Sequence, residues 1–455
     1  MTGGSLWSDE LGEECAPRAS LPGDVDVDVA IVGAGLTGIW TAWYLLLAAP
    51  GTRVVLLERE VAGFGASGRN GGWCSALFPR SAASLIAAHG VEAAKAMRRA
   101  MIHTVDEVGR ATAEAGVDAH YLKAGTVTWA RGPAQERAAR GEVRAAAALG
   151  VDALEWRDGA GPGVAGASGA VVDPSCARVQ PARLVRGMAA AAERLGAVIH
   201  EGTTVREVVP RGADGRARAL TDRGMVRAEH VVVATEAMTG SLRGWGRRIL
   251  PIYSLMVATA PLPRAFWDDI GIGPGQTFAD HRHLIVYGQR TADDRIAFGG
   301  RGARVHLGSA VRPEFDRVPR VFAHLERAIV ELFPAAAGAP ITHRWGGALG
   351  VARDWHASVG LDRASGIGWA GGYVGDGLST TNLAGRTLAD LLLGRATELT
   401  ALPWVGHRSP DWEPEPLRFL GANAGLAATA LADAEERITQ RPSLVARLMA
   451  PLTGG

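Results

Sequence analysis

Val29-Ala-Ile-Val32 breaks into Gly33-Ala-Gly35-Leu-Thr-Gly38, runs on apolar to Ala49, and restarts as Val54-Val-Leu-Leu57 before Glu58; this stretch decides the fold. The glycines fall where a strand must turn sharply into a helix. Gly33 permits the turn, Gly35 lets a pyrophosphate approach the backbone, and Gly38 lets helix and strand pack closely. A helix opening near Leu36 directs unpaired N–H groups and the positive end of its dipole at such a diphosphate. Glu58 ends the second strand about 20 residues past Gly38, where a carboxylate accepts bonds from a ribose and disfavours a 2′-phosphate. The reading is a dinucleotide-binding βαβ unit.

The competing reading is a membrane span, because Val29 to Ala49 carries no charge and approaches the roughly 20 apolar residues a bilayer needs. Three glycines opening the run and the lack of a basic flank weigh against it. Trp40, Trp43, Tyr44 and Leu47 recur at helical spacing and read as a buried helix face.

At 455 residues and 47% hydrophobic content the chain can fill two interleaved domains. A net charge of +1 gives no reason to invoke nucleic acid or an anionic membrane. Cys15, Cys74 and Cys176 show neither metal-ligand spacing nor an even count for a disulfide framework, so no metal is expected and a cytoplasmic setting is. Met1 to Pro22 has no signal-peptide pattern and reads as a loose extension.

Further along, Gly63 to Trp73 is too rich in glycine for regular structure, and Val91, Ala94, Met97, Met101, Val105 and Val108 repeat as on an amphipathic helix. Gly125 to Ala130 alternates like a strand, Gln135 to Gly150 reads as a surface helix, and Gly159 to Gly169 as a loop. A helix over Pro181 to Leu195 precedes strands at Val198 to His200 and Val205 to Val209, a turn at Asp214-Gly215, and a buried strand over Ala228 to Ala234. His283 to Tyr287 and Arg295 to Gly299 flank Asp293-Asp294 as an antiparallel pair, and Arg320 to Phe333 is helical. Ile367 to Ala370 is a strand running into Gly371-Gly-Tyr-Val-Gly-Asp-Gly377, with a helix from about Thr380 to Leu393. The helix-prone stretch Leu417 to Ile438 is expected to pack on the parent domain.

Taken in order, Gly33-x-Gly-x-x-Gly38 with Glu58, Gly65-Ala-Ser-Gly-Arg-Asn-Gly-Gly72, Ala228 to Thr235 and Gly372-Tyr-Val-Gly-Asp-Gly377 resemble the FAD-dependent amine and D-amino-acid oxidase (DAO) superfamily. The Ala66 to Gly72 loop looks most like the gamma-glutamylputrescine oxidoreductase branch. The resemblance implies an α/β fold: a Rossmann-like, p-hydroxybenzoate-hydroxylase-like FAD domain interleaved with an antiparallel-sheet substrate domain. The expected boundaries are 1–24 for the extension; 25–90, 170–245 and 350–405 for the FAD domain; 91–169 and 246–349 for the substrate domain; and 406–455 for a helical tail. It assigns pyrophosphate contact to Gly33, Gly35, Leu36 and Gly38, the ribose side to Glu58 and Arg59, and adenine-side contact to Val205, with Thr235 also at the cofactor. Ala66, Ser67, Arg69, Asn70, Gly71 and Gly72 would line the flavin. Gly375, Asp376, Gly377, Leu378, Ser379 and Thr380 would hold its pyrimidine edge, where a helix N-terminus suits the negative charge of reduced flavin. Asp376 is expected to cap that helix, pointing away from the ring.

Such enzymes oxidise an amine to an imine by hydride transfer to flavin, with hydrolysis following. The reacting nitrogen must be neutral, and desolvation in an apolar pocket favours that without a dedicated base. Trp73, Tyr253, Tyr287, Trp345 and Trp369 are candidates for an aromatic pocket. Two departures matter. The carboxylate-gripping arginine of glycine- and D-amino-acid-oxidizing relatives has no counterpart in Trp345 to Gly350, though Arg344 and Arg353 flank it. The lysine that helps dioxygen react in sarcosine-oxidase-like relatives is missing from Arg295 to Arg301, where Arg301 could supply charge instead; Lys95 and Lys123, the only lysines, are distant. Cys74 and His356 are weak candidates for covalent attachment, so dissociable FAD is expected. The leading expectation is oxidation of a primary or secondary amine, polyamine derivatives included, with dioxygen or another electron acceptor. The alternatives are a glycine or D-amino-acid oxidase, an FAD-binding protein that modifies a macromolecule, and a nicotinamide enzyme without flavin.

Overall fold

In the computed structural model, which describes residues 4–12, 16–159 and 161–449, the segment ahead of the first strand is docked rather than loose. A short helix, α1 (Leu6–Asp9), is capped by Ser5, whose hydroxyl accepts the Ser8 N–H. Leu6 and Trp7 are only 2% and 1% exposed, and they join Met256, Ala258 and Trp345 in one apolar cluster. Three large apolar residues, Leu6, Trp7 and Leu11, gain more from burial than a free tail retains in entropy. Arg18 then pins the chain through ion pairs to Glu193 and Glu201. Cys15 and residues 450–455 of the tail lie outside the described residues.

β1 (Val25–Val32) and β2 (Val54–Leu57) pair in parallel, joined by α2 (Leu36–Ala48). Along β1, Val29 and Ile31 enter one core while Ala30 and Val32 enter the core on the opposite face, as expected for a parallel strand covered on both sides. The apolar run from Val29 to Ala49 is therefore the end of a strand and a helix, as the dinucleotide-binding reading has it, and no helix among the described residues is long and apolar enough to cross a membrane. On its other side β1 pairs in parallel with β3 (Met225–Val233), whose first half closes the hairpin with Ala217–Thr221. The strand Ile367–Gly371 joins β3 in parallel. Val32 stands beside Val233 and Val233 beside Trp369, so the loops that leave these three strands emerge at one sheet edge.

The second sheet runs in the order β5 (Ile341–Val351), β4 (Leu250–Thr259), Ile296–Gly300, Val286–Arg290, Thr277–Asp280, Thr126–Ala130, Gly169–Asp173 and Glu155–Asp158. It is antiparallel except where Thr277–Asp280 runs parallel to Thr126–Ala130. The hairpin expected from His283 begins later, at Val286, because Asp433 accepts the backbone N–H groups of His283 and Leu284.

The helix expected from Thr380 starts at Gly377; this α3 (Gly377–Leu392) packs on α2 with Gly385 against Trp40. The tail helix α4 (Leu417–Thr439) is held to the body by Asp433 and by Asn423, which exchanges bonds with the Val305 backbone. The glycine-rich stretch from Gly63 is less irregular than expected, with a 3-10 turn at Ala66–Gly68 and a short strand at Trp73–Ser75.

Candidate active site

The loops after β1, β3 and Ile367–Gly371 open onto a single cavity of about 880 Å³ that continues beneath the second sheet. This is the edge at which open parallel sheets present their crevice. Gly33 has φ +103°, and a Cβ there would lie 2.6 Å from the Ala234 carbonyl oxygen, so neither backbone nor space admits a side chain. Gly35 and Leu36 line the cavity, and Ser67 accepts the Leu36 N–H. Gly38 does not: its missing Cβ would meet Gly33 O at 2.1 Å, so it permits the contact between helix and turn rather than touching a ligand.

Glu58 and Arg59 line the same wall, with Val205 and Thr235 beside them. Glu58 accepts the N–H groups of Ala34 and Glu60, and burial raises its pKa in spite of those bonds. Ala66, Ser67, Arg69, Asn70 and Gly71 form the opposite lining, whereas Gly72 is turned beneath it against Gln289 and the Val179 carbonyl. The Arg69 guanidinium is spent on Asp316 at 2.7 Å and on the Phe64 face. The Asn70 carboxamide bonds to Ala66 O, Ser67 O and the Gly72 N–H, so it braces the turn.

Across the cavity lie Gly375, Asp376, Gly377 and Leu378. Ser379 and Thr380 do not line it; their hydroxyls turn inward to the carbonyls of Ser75 and Asp376. Asp376 stands at the α3 N-terminus but makes no capping bond, contrary to expectation, and faces the cavity. At the α2 N-terminus Gly35 has no side chain to cap with, and the Ser67 hydroxyl takes only the first N–H, that of Leu36. Two long helices thus point unsatisfied N–H groups and positive dipole ends toward one cavity.

Among the aromatic candidates, Trp73, Tyr287 and Trp345 line the cavity. Tyr287 packs edge-on to Trp73 with centroids 6.0 Å apart, and its hydroxyl shares a 2.9 Å bond with Ser254. Tyr253 and Trp369 are corrected. Tyr253 is 2% exposed in the core behind β4, because successive residues of a strand point to opposite faces and Ser254 and Met256 take the cavity side. Trp369 lies outside the cavity, covered by Arg408 and bonded to Ser358.

Arg301, the candidate to supply charge in place of the lysine, lines the cavity. It donates to Val374 O at 2.8 Å, and burial lowers its pKa while Asp376 opposes the shift. Burial pushes Asp376 up to about 6, moderated by Arg301. Glu236, which the sequence reading passed over, accepts the N–H groups of Gly372 and Tyr373 and joins the end of β3 to the loop before α3. Burial raises its pKa to about 7. Both Glu236 and Val374 have positive φ, +46° and +57°, and both line the cavity; non-glycine strain of this kind gathers at ligand sites. Only the charge directly after a buried strand hinted at Glu236. Cys74 and His356 lie off the cavity, the cysteine fully buried and the histidine stacked on His407.

The sequence profile of the family described as FAD dependent oxidoreductase (DAO) matches residues 28–391. A probable oxidoreductase OrdL of Rhizobium meliloti (strain 1021) is 29% identical over 405 residues, covering 88% of this chain and 90% of that protein. Gamma-glutamylputrescine oxidoreductase of Escherichia coli (strain K12) is 28% identical over 86% of this chain and 89% of its own. The crystal structure of glycine oxidase from Geobacillus kaustophilus superposes with a TM-score of 0.66 at 22% identity, over 84% of this chain and 99% of that one, which shows a shared fold.

Proposed function

We propose, given that this chain belongs to the DAO family of FAD-dependent oxidoreductases, that it oxidises a primary or secondary amine to an imine that water then hydrolyses. The fit of its residues to FAD rests on two helix N-termini that face one cavity with no cap from their own N-cap residues, Gly35 and Asp376. Gly33, Gly35 and Leu36 would hold the diphosphate, Glu58 the ribose, and Val205 the adenine side. Ala66 to Gly71 and Gly375 to Leu378 would hold the flavin, without a covalent link. Bound there, FAD supplies a ring that accepts hydride from the carbon beside nitrogen.

The remaining work falls to the chain. Tyr287, Trp345 and Met256 give an apolar wall that disfavours an ammonium ion and so promotes the neutral amine the reaction needs. Asp376, raised by burial, is placed to accept the proton an incoming ammonium releases. The observation that carries the choice of substrate is the placement of Arg344 and Arg353. Both turn away from the cavity, Arg344 to Glu326 and Arg353 to Glu413, so neither can grip a carboxylate there. Arg301 favours the second reading, an amino-acid substrate; it ranks lower because Arg301 already spends a donor on Val374 and faces Asp376. The free thiols Cys74 and Cys176 support a reducing, cytoplasmic setting.

The test is anaerobic bleaching of the flavin by a panel of alkylamines, glycine and D-alanine, followed by air. Rapid reduction by alkylamines alone supports the reading; rapid reduction by the amino acids alone overturns it.

A further inference from the structure

The turn that lines the cavity at Arg69 to Gly72 has its backbone polar groups paired with one exception. Arg69 O accepts the Trp345 indole N–H at 2.8 Å, and Asn70 O accepts the Trp7 indole N–H at 2.8 Å. The Asn70 N–H goes to Ala66 O, Gly71 O accepts from Gln289, the Gly72 N–H goes to the Asn70 side chain, and Gly72 O accepts from Val179. Gly71 is a buried residue whose N–H has no acceptor among the described residues. A buried donor left unpaired is unfavourable enough that one expects a ligand atom to complete it.

We propose that Trp7 is a positioning residue for the cofactor loop: with Trp345 it clamps two consecutive carbonyls, and so aims the Gly71 N–H at an acceptor atom of the flavin. A trans peptide holds C=O and N–H antiparallel, so fixing the Asn70 carbonyl on Trp7 turns the Gly71 N–H away from it, on a residue that lines the cavity. The two indoles brace each other edge to face, with centroids 5.9 Å apart. Gln180 holds α1 in place by donating to Trp7 O at 2.9 Å. The N-terminal segment is therefore part of the site, although it precedes the nucleotide-binding strand. The inference rests on the reading of the cavity as the FAD site.

Trp7→Phe keeps a ring beside Trp345 and removes the donor. It is compared with Trp267→Phe, which trims an equally buried tryptophan in the core of the second sheet, away from the cavity. FAD dissociation constants, the visible absorption and circular dichroism of the bound flavin, and urea unfolding of each apoprotein are measured. Trp7→Phe is expected to weaken FAD binding about five- to tenfold and to change the flavin bands; Trp267→Phe is expected to lower stability with both unchanged. Gln180→Leu unties α1 while leaving both indoles, and serves where Trp7→Phe folds poorly, with a change of the same kind and about two- to threefold. Wild-type affinity and an unchanged flavin spectrum in the Trp7 and Gln180 variants would overturn the proposal. A wild-type protein that takes up no FAD would instead remove the reading of the cavity on which it stands.

Discussion

Gly38→Ala tests whether the close approach of helix and turn, rather than glycine as such, builds the nucleotide site. An ideal Cβ at Gly38 would lie 2.1 Å from Gly33 O and 3.1 Å from Ile31 Cγ2. The first contact is to backbone, so no side-chain rotation relieves it; α2 must withdraw from β1 by roughly 1 Å to restore an ordinary contact. Overpacking of this kind costs about 1–3 kcal/mol, against about 1 kcal/mol that alanine gains over glycine inside a helix. A net loss of up to about 2 kcal/mol follows. The same withdrawal moves the α2 N-terminus from the cavity, and a helix terminus facing an anion is worth about 0.3–1 kcal/mol, up to about 2 kcal/mol when partly buried, so FAD affinity falls by up to about tenfold. Gly421→Ala is the control: it sits on exposed α4 with nothing within 4 Å of its added Cβ, and is expected to raise stability by about 0.5–1 kcal/mol. Urea unfolding of the apoproteins and FAD titration by fluorescence read both effects. If Gly38→Ala unfolds at the wild-type urea concentration and binds FAD with wild-type affinity, the packing argument is wrong.

Other outcomes follow from the same site. Burial holds Glu236 at about 7 and Asp376 at about 6; carboxyls raised above their unfolded values favour the native state at low pH, in full below about pH 4, and lose that contribution as pH rises through 6 to 7. The urea midpoint of the apoprotein should therefore fall between pH 5 and 8, and a flatter fall is expected for Glu236→Gln with Asp376→Asn; an unchanged slope would remove the assignment. Arg301→Ala takes away the cation that moderates Asp376, so the pH profile of anaerobic flavin reduction should move upward, and a profile that stays put refutes the coupling. Tyr287→Phe should slow reduction by amine severalfold, while Trp369→Phe leaves it unchanged because that indole lies off the cavity; equal effects from the two would contradict the placement.

Much of this protein was legible in local sequence. The strand, glycine turn, helix, strand and acid from Val29 to Glu58 carry their own periodicity and steric requirements, and the hairpin at Asp214-Gly215 and the helix after Gly377 signal themselves in a few residues. The strand β4 was not read from the sequence, whose residues there do not alternate; once it is in place Tyr253 and Ser254 face opposite ways, and which face meets the cavity depends on how the second sheet lies over the first. The role of Glu236 needs β3 and Ile367–Gly371 in parallel register to bring the Gly372 and Tyr373 N–H groups to its carboxylate. Trp7 looked like part of a loose tail because its partners, Asn70, Gln180 and Trp345, lie far along the chain. The sequence alone determined where strands turn sharply into helices through glycine, because those constraints act within a few bonds. Which side chains share the cavity was decided only when distant segments packed together, because burial and hydrogen-bond pairing are settled between segments rather than along them.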